Sequence, residues 1–339
     1  MRRLPLKLAI AAVAIGGGYW VAMTLAPLRP TAVQTSPLIP IQPASNEGAP
    51  GVGNDDQVIL DMLDTLERRP NIAAKIRQSI RLRQDQVTGE GVFYQQGVGN
   101  QRRTRWELTM LVAGERAFVT QVFDGEVVWT DRRLPSTRKV TRVDIGALRR
   151  QIVASSAGAG QGAGLAGETM GELLARGGLS QLAAGLHRSF TFGPRQTLQR
   201  GNQLIVAVVG QWRPEELERA WPGLAAASLE EWPSHLPHHV LVYVGANDRF
   251  PYFIEYRGSD QAALVNTSEA YLPARDAMAS FEFIDVQFAA AMPADVFQYT
   301  PPDNSWHDIT SRLAEEVRPL PGVGPAPEAS TAQREGERR

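Results

Sequence analysis

The spacing of apolar and polar positions changes period repeatedly along the chain, and each change marks an element. Ile59, Met62, Leu63 and Leu66 recur at helical spacing, with Asp61, Asp64 and Glu67 on the opposite side. Asn54 or Asp55 is placed to cap this helix and Pro70 to end it. From Lys75 the period becomes two. Ile76, Gln78, Ile80 and Leu82 alternate with Lys75, Arg77, Ser79, Arg81 and Arg83, which predicts a strand with one apolar and one basic face. Further strands are expected over 92–96, 105–112, 117–123, 126–131 and 138–143, with Asp124-Gly125 as a hairpin turn whose two central residues need positive φ. Strands this close in sequence must pair antiparallel, because a parallel crossover needs a dozen or more residues.

The pattern then turns helical. Asp144 can cap a helix over 145–154, followed by the glycine-rich run SSAGAGQGAGLAG and short helices over 173–175 and 179–186. Strands return over 190–192 and 204–209, and Pro214 starts a helix reaching Ala220. Strands over 239–244, 252–256, 281–288 and 296–299 follow, with a turn at Asn247-Asp248 between two of them. Ile309, Leu313 and Val317 give a closing helix. The predicted fold class is α+β: a curved antiparallel sheet, an incomplete β-barrel, covered on one face by short mid-chain helices.

The amino terminus differs. After Arg2, Arg3 and Lys7, residues 8–28 carry no charge, and as a helix they would be about 30 Å long, enough to cross a bilayer. The flanking positive charge puts the amino terminus in the cytoplasm and everything after Arg29 outside. A cleaved signal peptide is the alternative, although cutting after Ala26 would leave Pro27 next. The expected organisation is an anchor or signal segment at 1–29, a Pro/Gly-rich linker at 30–54, a folded domain at 55–317 and a disordered tail at 318–339.

Composition narrows the chemistry. Lys+Arg number 35 against 36 Asp+Glu, so there is no domain-wide positive field for a nucleic-acid partner. With no cysteine, disulfides, thiolate catalysis and Cys-ligated metals are excluded. Gly162, Gly164 and Gly167 match G-x-G-x-x-G but lack the preceding strand that gives that pattern meaning. His235, His238 and His239 are close in sequence, yet Pro237 breaks any helix that would aim them together. No acid, base and nucleophile assemble, so neither an enzyme, a metal site nor a cofactor is expected. What remains is an apolar sheet face formed by Ile80, Leu82, Phe93, Trp106, Leu108, Met110, Phe118, Val122 and Trp129, expected to enclose more space than its side chains fill. The competing reading is a protein-interaction module whose basic strand at Lys75, Arg77, Arg81 and Arg83 meets an envelope protein partner.

Several runs carry a resemblance. GEGVF at 89–93, RRTRW at 102–106, VFDGEVVW at 122–129, FEFIDVQ at 281–287 and ADVFQYTPPD at 294–303 occur in an order similar to that of bacterial outer-membrane lipoprotein carriers of the LolA/LolB-like family. The resemblance implies a half-barrel with a helical lid over a cavity for lipid or lipoprotein acyl chains. It further implies an early-strand arginine that holds the lid shut, for which Arg102, Arg103 and Arg105 are the candidates. A tethered chain cannot shuttle freely, so storage, sorting at the membrane or envelope-stress sensing are the roles implied.

Overall fold

The computed structural model describes residues 41–43 and 55–316, apart from 83–84, 113, 157–177, 235, 266, 275 and 289–291. The uncharged stretch at 8–28, the G-x-G-x-x-G match, the helix expected at 173–175, Arg83, His235, Val317 and the tail at 318–339 lie outside the described residues. Among the described residues no helix is long and apolar enough to cross a membrane.

One sheet runs through the molecule. Its strands are β1 (Ile41–Pro43), β2 (Asn71–Leu82), β3 (Asp85–Gln96), β4 (Arg103–Val112), β5 (Glu115–Phe123), β6 (Val127–Leu134) and β7 (Thr137–Asp144). These are followed by β8 (Phe190–Phe192), β9 (Gln196–Arg200), β10 (Gln203–Trp212), β11 (His239–Gly245), β12 (Pro251–Arg257), β13 (Ala279–Gln287) and β14 (Trp306–Asp308). The spatial order is β1-β9-β10-β11-β12-β13-β2-β3-β4-β5-β6-β7-β14, with β8 beside β10. Every pair is antiparallel except β14 on β7. The order has two free ends among the described strands, so the sheet is open. The two halves of the chain join where β13 lies against β2.

Among the described residues five α-helices accompany it: α1 (Asp56–Arg68), α2 (Ile145–Ser156), α3 (Leu179–Ser189), α4 (Pro214–Ala220) and α5 (Thr310–Glu316). Only α1 and α3 join the main core. Val58, Ile59, Met62 and Leu66 of α1 and Leu179, Ala183 and Leu186 of α3 pack with Ile76, Phe93, Leu108, Val242, Phe281 and Phe283 of the sheet. The cover is thus half amino-terminal. The mid-chain α2 instead joins α5 over a smaller core of Phe123, Val128 and Val143.

Local differences from expectation have identifiable causes. β3 begins seven residues earlier than expected because Gly89 and Gly91 belong to the strand; a Cβ on Gly91 would lie 1.7 Å from the Glu107 carbonyl oxygen, so the close β3–β4 approach requires glycine. At the β5–β6 turn only Gly125 has positive φ, at 108°. Asp124 instead accepts the Glu126 and Val127 N–H groups with its carboxylate. Asp144 caps α2 through the Ala147 N–H. Asp55 does not cap α1: its carboxylate takes the Arg195 N–H and that of Asp56 takes the Phe192 N–H, tying the helix start to the β8–β9 corner. The strand expected at 296–299 is a 3-10 turn over Ala294–Phe297, because the Arg105 guanidinium takes the Val296 and Gln298 carbonyls.

The carboxy-terminal segment crosses the outer sheet face, where Trp129 meets Tyr299 and Trp306 at ring-centroid distances of 5.7 and 5.3 Å. Beside them the buried Asp131 accepts hydrogen bonds from Arg138 at 2.6 Å and Arg133 at 3.0 Å. Burial alone would raise this carboxyl's pKa, but those hydrogen bonds outweigh it and hold the value below the ordinary one. The stabilisation is therefore complete above the unfolded value of about 3.9 and is lost as pH falls through the lower folded value. Urea midpoints of wild type and Asp131→Asn should differ at pH 7 and converge below about pH 4. A gap that ignores pH would contradict the pairing.

Candidate functional site: the helix-covered sheet face

Register decides which side chains share the covered face. Trp106 opposes Phe93 on one side and Gln121 on the other, Leu108 opposes Val119, and Met110 opposes Ala117. Ile80, Phe93, Trp106, Leu108 and Met110 therefore share one face of the sheet. Phe118, Val122 and Trp129 do not lie on it. Phe118 opposes Thr109, and Val122 lies between Arg105 and Trp129, which puts all three on the outer face. The expectation is one residue out of phase on β5, and a one-residue slip turns every side chain over. Trp129 lies under the carboxy-terminal segment, Val122 is buried with it, and Phe118 is 40% exposed.

The covered face is aromatic at its centre. Trp106 meets Phe93 edge-on at 5.6 Å and Phe281 and Phe283 at 6.3 Å each, and Phe250 continues the cluster to Phe283 at 5.6 Å. Phe93, Phe250, Phe281 and Phe283 are essentially inaccessible, so the side chains of α1 and α3 occupy the space above them. The expectation of vacant hydrocarbon space beneath the helices is corrected at these positions. A cavity of about 310 Å³ lies elsewhere, at the β9–β10 and β11–β12 turns, lined by Arg200, Asn202, Gln203 and Asp248 among others. That setting suits polar contacts, not an acyl chain.

The helices are tied to the sheet by polar groups at one end. Arg102, immediately before β4 and 9% exposed, donates to the Ser180 hydroxyl of α3 and to the Glu67 carbonyl of α1 at 3.3 Å. Burial lowers its pKa, and the nearby Glu67 charge opposes that. Gln95 adds a hydrogen bond to the Arg69 carbonyl at 3.3 Å. The other two arginines lie elsewhere: Arg103 is exposed, and Arg105 pairs with Glu107 at 2.5 Å while holding the 296–298 carbonyls on the outer face.

The basic stripe of β2 is neutralised within the chain. Lys75 pairs with Asp285 at 2.8 Å, Arg77 with Glu282 at 3.1 Å and Glu90 at 3.4 Å, and Arg81 with Asp260 at 2.8 Å. A partner would have to compete with those carboxylates for each charge. The two described histidines of the cluster bring their Nδ1 atoms within 3.3 Å, and His239 is fully buried on β11. Burial first, then the positive charge of Arg257, lowers its pKa to about 3, so the ring is neutral. Among the described residues no group of three or more His, Cys, Asp or Glu could hold a metal ion. Sequence reasoning missed a buried pair on the outer face, Glu255 with Arg257 at 2.7 Å. The only signal was the presence of two charges in an otherwise apolar strand.

No protein-family model and no curated protein matches the chain. Among solved structures, the fold is similar to that of MucB, with 12% identity, a TM-score of 0.35 and 73% of this chain matched. The chain spans 63% of MucB. It is also similar to a putative outer-membrane lipoprotein-sorting protein domain from Vibrio parahaemolyticus, with 9% identity, a TM-score of 0.28, and 71% of this chain and 95% of that chain covered. A LolA superfamily protein from Nitrosomonas europaea matches with 10% identity, a TM-score of 0.27, and 73% and 98% covered. The family named from the sequence motifs thus reappears among these structures. At these scores the likeness supplies no residue-by-residue correspondence.

Proposed function

We propose that this chain is an envelope protein, held at the periplasmic side of the inner membrane, that binds acyl chains of lipid or lipoprotein non-covalently on the sheet face now covered by α1 and α3. The observation that carries the proposal is Arg102, one buried side chain joining both helices to the start of β4. The helices present apolar side chains to an aromatic face, and an acyl chain would replace like with like. Each buried methylene contributes about 0.8 kcal/mol, so a guest of a dozen or more carbons can offset the helix contacts it displaces. The polar tie then sets how readily the cover lifts.

Cells making the full chain can be fed a diazirine-bearing palmitate and irradiated before purification. Cross-links are expected on peptides from β2, β3, β4 and α3. Label confined to other regions, or absent from the protein, would count against the proposal.

A further inference from the structure

A cross-strand row of Phe281, Gln78, Gly89, Met110 and Ala117 runs across the covered face. Gln78 is the anomaly in that row. It lies between Ile76 and Ile80 on the apolar side of β2, is 1% exposed, and neither its amide nitrogen nor its amide oxygen has a hydrogen-bond partner. Buried polar atoms are nearly always paired, and a primary amide with both ends unpaired is strongly disfavoured unless something else completes it. Gln95 and Arg102 each leave one buried atom unpaired, Oε1 and Nε, but both still make bonds, Gln95 to Arg69 and Arg102 to Ser180 and Glu67, whereas Gln78 makes none at either end.

The surroundings show why nothing among the described residues completes it. Gly89, the β3 neighbour, has no side chain, and a Cβ there would come within 2.6 Å of Met110 Cγ. Phe281 on the β13 side is apolar. The row also joins two apolar clusters. Phe281 belongs to the core packed with α1 and α3; Met110 and Ala117 belong to a second cluster with Val87, Val112 and Val119, which includes no residue of either helix. A polar anchor at the junction of two apolar tracts suits an amphiphile with one carbonyl group and a long tail.

We infer that Gln78 binds the carbonyl group of an acyl ester or acyl amide, its NH2 donating to the carbonyl oxygen, and so selects acylated lipids over plain or ether-linked hydrocarbon. This rests on the acyl-chain reading above and adds the chemical class that the site prefers.

The test compares 1-monopalmitoylglycerol with 1-O-hexadecylglycerol, which differ at the carbonyl, by competition against a pyrene-labelled alkane on the full chain. The ester is expected to compete about tenfold better than the ether. In Gln78→Met, a near-isosteric change without the amide, that ratio should fall to one with ether binding retained, and the melting temperature of the lipid-free protein should rise. Equal competition by ester and ether in wild type, or a ratio that survives in Q78M, would overturn the role of Gln78 while leaving acyl binding intact. If neither lipid competes, the acyl-chain reading fails and Gln78 with it. Should Q78M not accumulate, the wild-type ratio alone decides.

Discussion

Replacing Arg257 with methionine is expected to destabilise the fold by about 3–5 kcal/mol, the effect of breaking a buried ion pair from one side. The guanidinium is inaccessible on the outer face of β12 and makes three kinds of contact. It pairs with Glu255 at 2.7 Å, donates to the Ala270 carbonyl at 2.9 Å and donates to the Leu272 carbonyl. Glu255 also accepts the Ala274 N–H at 3.1 Å. Together these pin the β12–β13 connection across the outer face. Burial already raises the Glu255 pKa, against the opposing charge and hydrogen bond of Arg257. A raised carboxyl contributes stability below its unfolded value of about 4.3 and loses it as pH rises through the folded value. Without Arg257 that loss deepens, so R257M should be weakest at neutral pH and recover towards pH 5. Making both residues methionine should restore most of the stability, because an apolar pair replaces a buried charge pair with little net change. Urea unfolding of the single and double variants checks this. Equal stability of the two would show that the pair is not acting as a unit.

The second large effect is local. Arg102→Met removes two hydrogen bonds from a charged donor, each worth about 1.5–3 kcal/mol, and returns part of that by removing a buried charge. The net loss falls on α1 and α3, which Arg102 joins, and not on β11–β13, which are held by their own ladder. Amide hydrogen exchange in α1 and α3 should accelerate about 10–100-fold while the central strands are unchanged. Uniform acceleration throughout the molecule would make Arg102 a general stabiliser and remove the latch.

The elements most legible in the sequence were those with clear period and punctuation. The Ile59-Met62-Leu66 stripe, Pro214 at a helix start and the Asp144 cap each correspond to an observed element. The face assignment failed on β5 because ERAFVTQVF offers apolar residues at both parities; only pairing with β4 decides that Ala117 and Val119 point inwards and Phe118 and Val122 outwards. The short β9 and β14 were invisible because three to five polar-rich residues carry no detectable alternation. The resemblance implies a lid-holding arginine among Arg102, Arg103 and Arg105 without choosing between them. Which of them meets the helices depends on a loop between β3 and β4 whose positive-φ glycines, Gly97 and Gly99, turn the chain before Arg102. Gln78 read simply as one position of an alternating strand, since a missing hydrogen-bond partner is a property of the assembled core.

The central claim is that acyl chains occupy the face by lifting its helical cover, and the absence of cysteine permits a direct test. Ala183 lies on the sheet side of α3 and is 1% exposed. In the full-length A183C protein, the thiol should react slowly with a water-soluble maleimide, and at least tenfold faster when 1-monopalmitoylglycerol is bound or when R102M is added. A thiol that stays equally protected while lipid is demonstrably bound would place the ligand elsewhere and contradict the account.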